Sequence, residues 1–412
     1  MNIIKYNRNF RNHIIRSLVL AAILLLVFSC RKEDFPPGGM AERGDIISER
    51  VIDSWDTSTI HTLVNALAVE LPIPLQSGVT VYSITYYTLN PKGDLVPATG
   101  ALFIPEVDDA MPVMSIQHGT ETKKSMVSSV NPLITTGEGM VGLVTGSLGY
   151  ITCIPDYLGL GGSSGLHPYL HAATLSANVV DFLVAARESL QEKSVATTGE
   201  LYLTGYSEGG YVTMAAHREL QNHYPAEFPV TASVPMAGPY DLKGTIDTVL
   251  SRPGYPNPAF IAYFLLAYNQ IYRWNRLGDI FKSPYETLVP QLFDGNHTSG
   301  QIADALPNTL SELIQDDFIA GYLDGSDQEL MEAVKENTLL GWAPLAPVLM
   351  IHGTEDEIVP YQNMITARDD MLKNGAAHVE TREIPGGSHG SSALPAFTRM
   401  LMWVDSLHQL QY

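Results

Sequence analysis

Residues 205–209 read Gly-Tyr-Ser-Glu-Gly, and their flanks restrict the fold more than any other stretch of this chain. The apolar run Leu201-Tyr202-Leu203-Thr204 before them has the character of a β-strand. Tyr211-Val212-Thr213-Met214-Ala215-Ala216 after them has that of a helix. A strand passing into a helix through G-x-S-x-G requires a very tight turn, with glycines where side chains would clash, and lifts one hydroxyl above the end of a sheet. Ser207 is the candidate nucleophile, at a helix N-terminus that favours developing negative charge.

A serine hydroxyl is a poor nucleophile at neutral pH and needs a base, which in turn needs an acid to orient it. On a strand–turn–helix scaffold these follow the serine in the order Asp, then His. Leu349-Met350-Ile351 reads as a buried strand running into His352-Gly353-Thr354-Glu355-Asp356-Glu357, so Asp356 is the expected acid, with Glu355 and Glu357 as alternatives. Glu383-Ile384-Pro385-Gly386-Gly387-Ser388-His389-Gly390 puts His389 in a glycine-rich loop between a short strand and the last helix. His389 would take the serine proton during attack and return it to the leaving group. The oxyanion needs two backbone N–H donors. One is expected from Glu208, the other from the loop Gln117-His118-Gly119-Thr120 after the strand Pro112–Ile116, with Thr120 the first choice and Gly119 the second. This chemistry calls for neither a metal nor an organic cofactor.

Strand and helix signals alternate through the rest of the body, which predicts an α/β fold with a mostly parallel sheet covered on both faces. Strands are expected at 79–87, 97–105, 112–116, 150–154, 201–204, 230–235, 346–351 and 379–384, and helices at 171–190, 362–373 and 394–407. The stretch 239–345 interrupts this alternation and reads as a helical cap inserted into a core formed by 46–238 and 346–412. Within it Phe260–Tyr268 is apolar nearly all round, Thr309-Leu310-Ser311-Glu312 reads as a capping box, and Asp327 begins another helix. Asp324-Gly325-Ser326-Asp327 is a turn, its spacing wrong for a calcium loop. Asp156 and Glu208 are assigned structural roles, the latter as an acid favoured at a helix N-terminus. Cys153 reads as a small buried hydrophobe.

The first 29 residues have the form of an export signal: Lys5, Arg8, Arg11 and Arg16, then the apolar segment Leu18–Phe28, too short for a comfortable membrane span. Ser29-Cys30 at its end is similar to the cleavage site of bacterial lipoproteins. Cys30 would then carry lipid, and residues 30–45 would form a flexible tether. Export to a membrane-anchored position at the outer membrane, periplasmic or cell-surface, follows. A formal net charge of −20 with no basic cluster in the body excludes nucleic acid as a natural partner.

The stretches Thr99–Pro105, Gln117–Thr120, Pro155–Gly161, His167-Pro168-Tyr169, Gly205–Gly210 and His352–Asp356 together resemble the α/β-hydrolase fold and, within it, the secretory lipase family. The resemblance implies a carboxylic ester hydrolase with a Ser207–Asp356–His389 triad, acting on a small-molecule or lipid ester without a cofactor. Two other readings stay open on the sequence. One is a serine peptidase of the same fold, for which Asp316, Asp317 and Arg273 would grip a chain end. The other is a binding protein on a hydrolase scaffold.

Overall fold

Nine runs rich in β-branched and aromatic residues form one sheet in the computed structural model, which describes residues 41–66, 71–133, 137–251 and 254–409. The expected signal segment, Cys30 and most of the tether lie outside the described residues. The strands are β1 (Ile46–Trp55), β2 (Val79–Leu89), β3 (Leu95–Pro105), β4 (Met111–Gln117), β5 (Ile151–Pro155), β6 (Thr197–Tyr206), β7 (Ala232–Met236), β8 (Val348–Gly353) and β9 (Val379–Ile384). Their spatial order is β1-β2-β3-β5-β4-β6-β7-β8-β9. The pairings from β1 through β3 to β5 are antiparallel, and every pairing from β5 onward is parallel. All parallel strands therefore point their C-terminal ends to one edge, where ligands bind in open α/β sheets.

Helices cover both faces because the strands are apolar on both. In β8, Val348 and Met350 belong to one apolar cluster, and Leu349 and Ile351 to the other, the two-residue period of a pleated strand. The helices before the insertion are α1 (Thr57–Ala66), α2 (Glu138–Ser147), α3 (Ala172–Glu192) and α4 (Glu208–His223). Eight more lie between β7 and β8: α5 (Leu242–Ser251), α6 (Pro258–Ile271), α7 (Leu277–Ile280), α8 (Tyr285–Leu292), α9 (Ser299–Ala305), α10 (Leu310–Leu313), α11 (Asp316–Leu323) and α12 (Gln328–Glu336). The last two are α13 (Gln362–Lys373) and α14 (His389–Gln409). Helices α3, α4, α6 and α13 contribute to the first cluster; α1, α2 and α14 contribute to the second.

Several expectations are corrected. Strand β1 and helices α1 and α2 were not anticipated. The expected capping box at Thr309 does not form: the Thr309 hydroxyl donates to the Glu312 carboxylate at 2.8 Å, and the helix there lasts four residues. The reciprocal box sits instead at Thr298 and Gln301, at the start of α9. Asp327 does cap α12, accepting the Leu330 N–H at 3.1 Å. The Asp324–Asp327 stretch is a turn, with Gly325 at φ 79°. Cys153 is buried, and burial pushes its thiol up to about 12.

Beneath the sheet, His217 of α4 is buried with Nδ1 bonded to Ser233 Oγ at 2.8 Å, and Nε2 meets no partner among the described residues. Burial pushes its pKa down to about 3. The unfolded chain protonates this histidine near pH 6.5 and the folded chain does not, so protons favour unfolding between those values. Its penalty is absent above about pH 6.5 and grows as pH falls towards 3. We expect calorimetry to show Tm falling as pH is lowered from neutral, and His217→Gln to flatten that fall. An unaltered slope would exclude His217 as its cause.

Candidate active site

The peptide geometry at Ser207 sets everything else here. Its backbone lies at φ 60°, ψ −122°, a region that costs a non-glycine residue roughly 1–3 kcal/mol and persists only where the surroundings over-determine it. They do so here through close backbone approach. A β-carbon on either Gly205 or Gly209 would fall on the carbonyl oxygen of Gln117 at the end of β4, and one on Gly210 would fall on that of Met236 at the end of β7. The Ser207 N–H donates to that Met236 carbonyl at 2.9 Å. The turn is thus wedged between the ends of the two strands that flank β6.

Ser207 Oγ lies 2.8 Å from His389 Nε2, and His389 Nδ1 lies 2.7 Å from Asp356 Oδ2. Asp356 follows β8 and His389 follows β9, so three strand ends bring the groups together across 182 residues of chain. The Asp356 Oδ1 atom accepts the N–H groups of Ile358 and Val359 at 3.0 and 2.8 Å. Its Oδ2 atom also takes His352 Nε2 at 3.1 Å. Burial alone would raise the Asp356 pKa, but the hydrogen bonds from His352 and His389 outweigh it and bring it to about 2. The carboxylate is therefore ionised throughout the neutral range, as an imidazole-orienting acid must be. Neither neighbouring glutamate takes this position. Glu357 instead accepts the backbone N–H of His389 at 3.1 Å, and the Tyr206 hydroxyl donates to the His389 carbonyl at 2.6 Å.

His389 is the first residue of α14, not a loop residue as the glycine-rich sequence suggested. Ser388 precedes the helix as its cap: its Oγ accepts the Ser391 N–H at 3.2 Å and its carbonyl accepts that of Ser392 at 3.1 Å.

The two expected oxyanion donors differ in what surrounds them. Glu208 opens α4, so its N–H has no intrahelical acceptor. In the loop after β4, the Gly119 N–H already donates to Glu138 Oε1 at 2.9 Å, which leaves Thr120. The Thr120 N–H bonds to nothing among the described residues, while its hydroxyl meets Tyr169 Oη at 3.0 Å. The side chain of Glu208 was read as a helix-dipole acid, and it does more. It is fully buried and bonds His167 Nε2 at 2.7 Å, while His167 Nδ1 donates to the Leu158 carbonyl at 2.9 Å. Asp156 is a buried anchor that accepts Thr99 Oγ at 2.6 Å and the hydroxyl of Ser129. The partnerships of Glu138, His167 and His352 were not found from the sequence, because each is defined by a residue brought close by folding.

A cavity of about 40 Å³ opens beside Ser207, lined by Leu242, Ile246 and Val249 of α5 and by Phe260, Ile261 and Phe264 of α6. Its walls are largely apolar. The residues that would have gripped a peptide end are elsewhere: Asp316 is paired with Lys282 at 2.7 Å on the surface, Asp317 is exposed, and Arg273 lines a separate cleft.

A nine-stranded, mostly parallel sheet with this serine turn at its C-terminal edge defines the class: the protein is an α/β-hydrolase. Residues 128–409 match the secretory lipase family, and the chain belongs to that family. Among solved structures it is similar to the rice cell wall degrading esterase LipA from Xanthomonas oryzae, with 27% identity, 89% of this chain and 96% of that one covered, and a TM-score of 0.78. It is also similar to a protein from Legionella pneumophila with a provisional hydrolase assignment, with 27% identity, 89% and 99% covered, and a TM-score of 0.83. Candida antarctica lipase A in its closed state shares the fold at 15% identity, with 85% and 78% covered and a TM-score of 0.65. No curated protein matches the chain.

Gly209→Ala tests the wedge. The added methyl cannot fit without moving β4 or the turn, so we expect about 1–3 kcal/mol of lost stability in denaturant melts and a marked fall in ester turnover. Full stability and full turnover together would show that the contact is not required.

Proposed function

We propose that the chain hydrolyses carboxylic esters through an acyl-enzyme, with Ser207 as nucleophile, His389 as general base and acid, and Asp356 as the group that orients and stabilises His389. The observation that carries this reading is the unbroken hydrogen-bond chain from Ser207 Oγ through His389 to Asp356. Ser207 Oγ adds to the ester carbonyl carbon as His389 Nε2 takes its proton. The tetrahedral oxygen is held by the N–H groups of Glu208 and Thr120. The carbon–oxygen bond to the alcohol then breaks, and His389 protonates the departing oxygen. Water repeats the sequence on the acyl-enzyme, with His389 as base, and releases the acid and Ser207.

The cavity favours an ester over a peptide end. Among the described residues its lining has no lysine or arginine, and its one carboxylate there, Glu208, is bonded to His167. In this reading residues 239–345 form a cap whose α5 and α6 roof the acyl site, with 46–238 and 346–412 as the hydrolase core. A space of about 40 Å³ suits a short acyl group as it stands. The neighbour from Xanthomonas oryzae is a cell wall degrading esterase, consistent with an exported enzyme acting outside the cytoplasm. Export and anchoring through lipid on Cys30 belong to the same proposal; no helix among the described residues is long and apolar enough to cross a membrane.

Two measurements test this. Hydrolysis of p-nitrophenyl esters of increasing chain length should peak at short acyl groups and fall by at least about 10³-fold in Ser207→Ala with the fold intact; parental turnover in that variant would overturn the reading. Metabolic labelling with a fatty acid should mark the full chain and not Cys30→Ser, and equal labelling of both would remove Cys30 as the anchor.

A further inference from the structure

The loop that carries Thr120 is gripped at each successive peptide, and one of the grips is a histidine with no role so far. In the peptide joining His118 to Gly119, the carbonyl accepts Tyr157 Oη at 3.3 Å and the N–H donates to Glu138 at 2.9 Å. In the next peptide, joining Gly119 to Thr120, the carbonyl lies 2.7 Å from Nδ1 of His118. The other ring nitrogen of His118, Nε2, lies 3.0 Å from the carbonyl oxygen of Asp156. The ring is buried and stacks on Tyr157, with centroids 4.1 Å apart.

Two consequences follow from elementary geometry. A trans peptide is planar, so its C=O and N–H point in opposite directions. Fixing the Gly119 carbonyl against His118 therefore fixes the direction of the Thr120 N–H, which points away from the ring. Second, a carbonyl oxygen only accepts, so a ring facing one at each nitrogen makes both bonds only when both nitrogens carry protons.

We propose that His118 is a positioning residue for ester hydrolysis: its doubly protonated ring ties the Gly119 carbonyl to the Asp156 carbonyl and so aims the Thr120 N–H at the oxygen that becomes negative. This rests on the reading of Ser207 and Thr120 given above. His118 touches neither substrate nor nucleophile. It acts through one peptide plane, so its loss should affect the transition state more than ground-state binding.

Asparagine and glutamine separate the two grips, since the amide nitrogen of asparagine stands near Nδ1 and that of glutamine near Nε2. With p-nitrophenyl butyrate, His118→Gln should lower kcat by about 100-fold or more, on the scale of losing an oxyanion donor, with KM changed by less than about threefold. His118→Asn, which can still hold the Gly119 carbonyl, should recover most of that kcat. In the wild-type protein, ring-nitrogen NMR should show both His118 nitrogens protonated at neutral pH, a readout independent of whether a variant folds. Parental kcat in His118→Gln, equal losses in both variants, or a neutral His118 ring would each overturn the proposal. Full turnover in Ser207→Ala would instead overturn the parent reading of the site. An inactive Ser207→Ala beside a fully active His118→Gln would remove only the role given to His118.

Discussion

The carbonyl oxygen of Gln117 occupies the space that a β-carbon on Gly205 or Gly209 would need, and the active-site edge of the sheet is organised around that contact. It presses the end of β4 against the turn after β6, which keeps Ser207 in a backbone conformation its side chain would otherwise avoid. It also fixes the distance between the two segments proposed to supply the oxyanion donors, since Gln117 begins one and Gly209 closes the other. Strain in the nucleophile and spacing of the donors are thus two results of one steric fact.

Around this contact, the buried carboxylates of Asp356 and Glu208 each face a histidine. Asp356 receives two donors on each oxygen, and Glu208 bonds His167. An unpaired carboxylate so close to a developing oxyanion would oppose it, because Coulomb interactions are strong where water is excluded. The pairing of Glu208 explains how an acid is tolerated one residue after the nucleophile.

Much of this was legible in the sequence, and the exceptions have physical causes. The bounds of α13 and β9 were read correctly, those of α13 because Met364, Ala367 and Met371 keep the helical period, and Ser207, Asp356 and His389 stood out through local context. Helix α2 was missed because it contains Gly139, Gly142 and Gly146, which lower helix propensity. Two of these are there for packing: a β-carbon on Gly142 would crowd the ring of Phe103, and one on Gly146 would crowd Val79. Strand β1 was missed because it is an edge strand, largely exposed, with Val51 facing solvent. The grips on the oxyanion loop left no local sign, since Glu138, Tyr157 and Asp156 lie 19 to 39 residues from their partners.

The placement of His389 after all nine strands has a consequence for biogenesis. Chains emerge from the amino end, and domains fold as their segments become available. The Ser207 turn needs only the first seven strands, but the proposed base, His389, arrives on α14 and the proposed acid, Asp356, after the eighth strand. A partly emerged chain therefore holds Ser207 without the histidine proposed to deprotonate it. In the proposed mechanism hydrolytic competence coincides with completion of the sheet, so the order of the elements along the chain keeps an incomplete chain inactive.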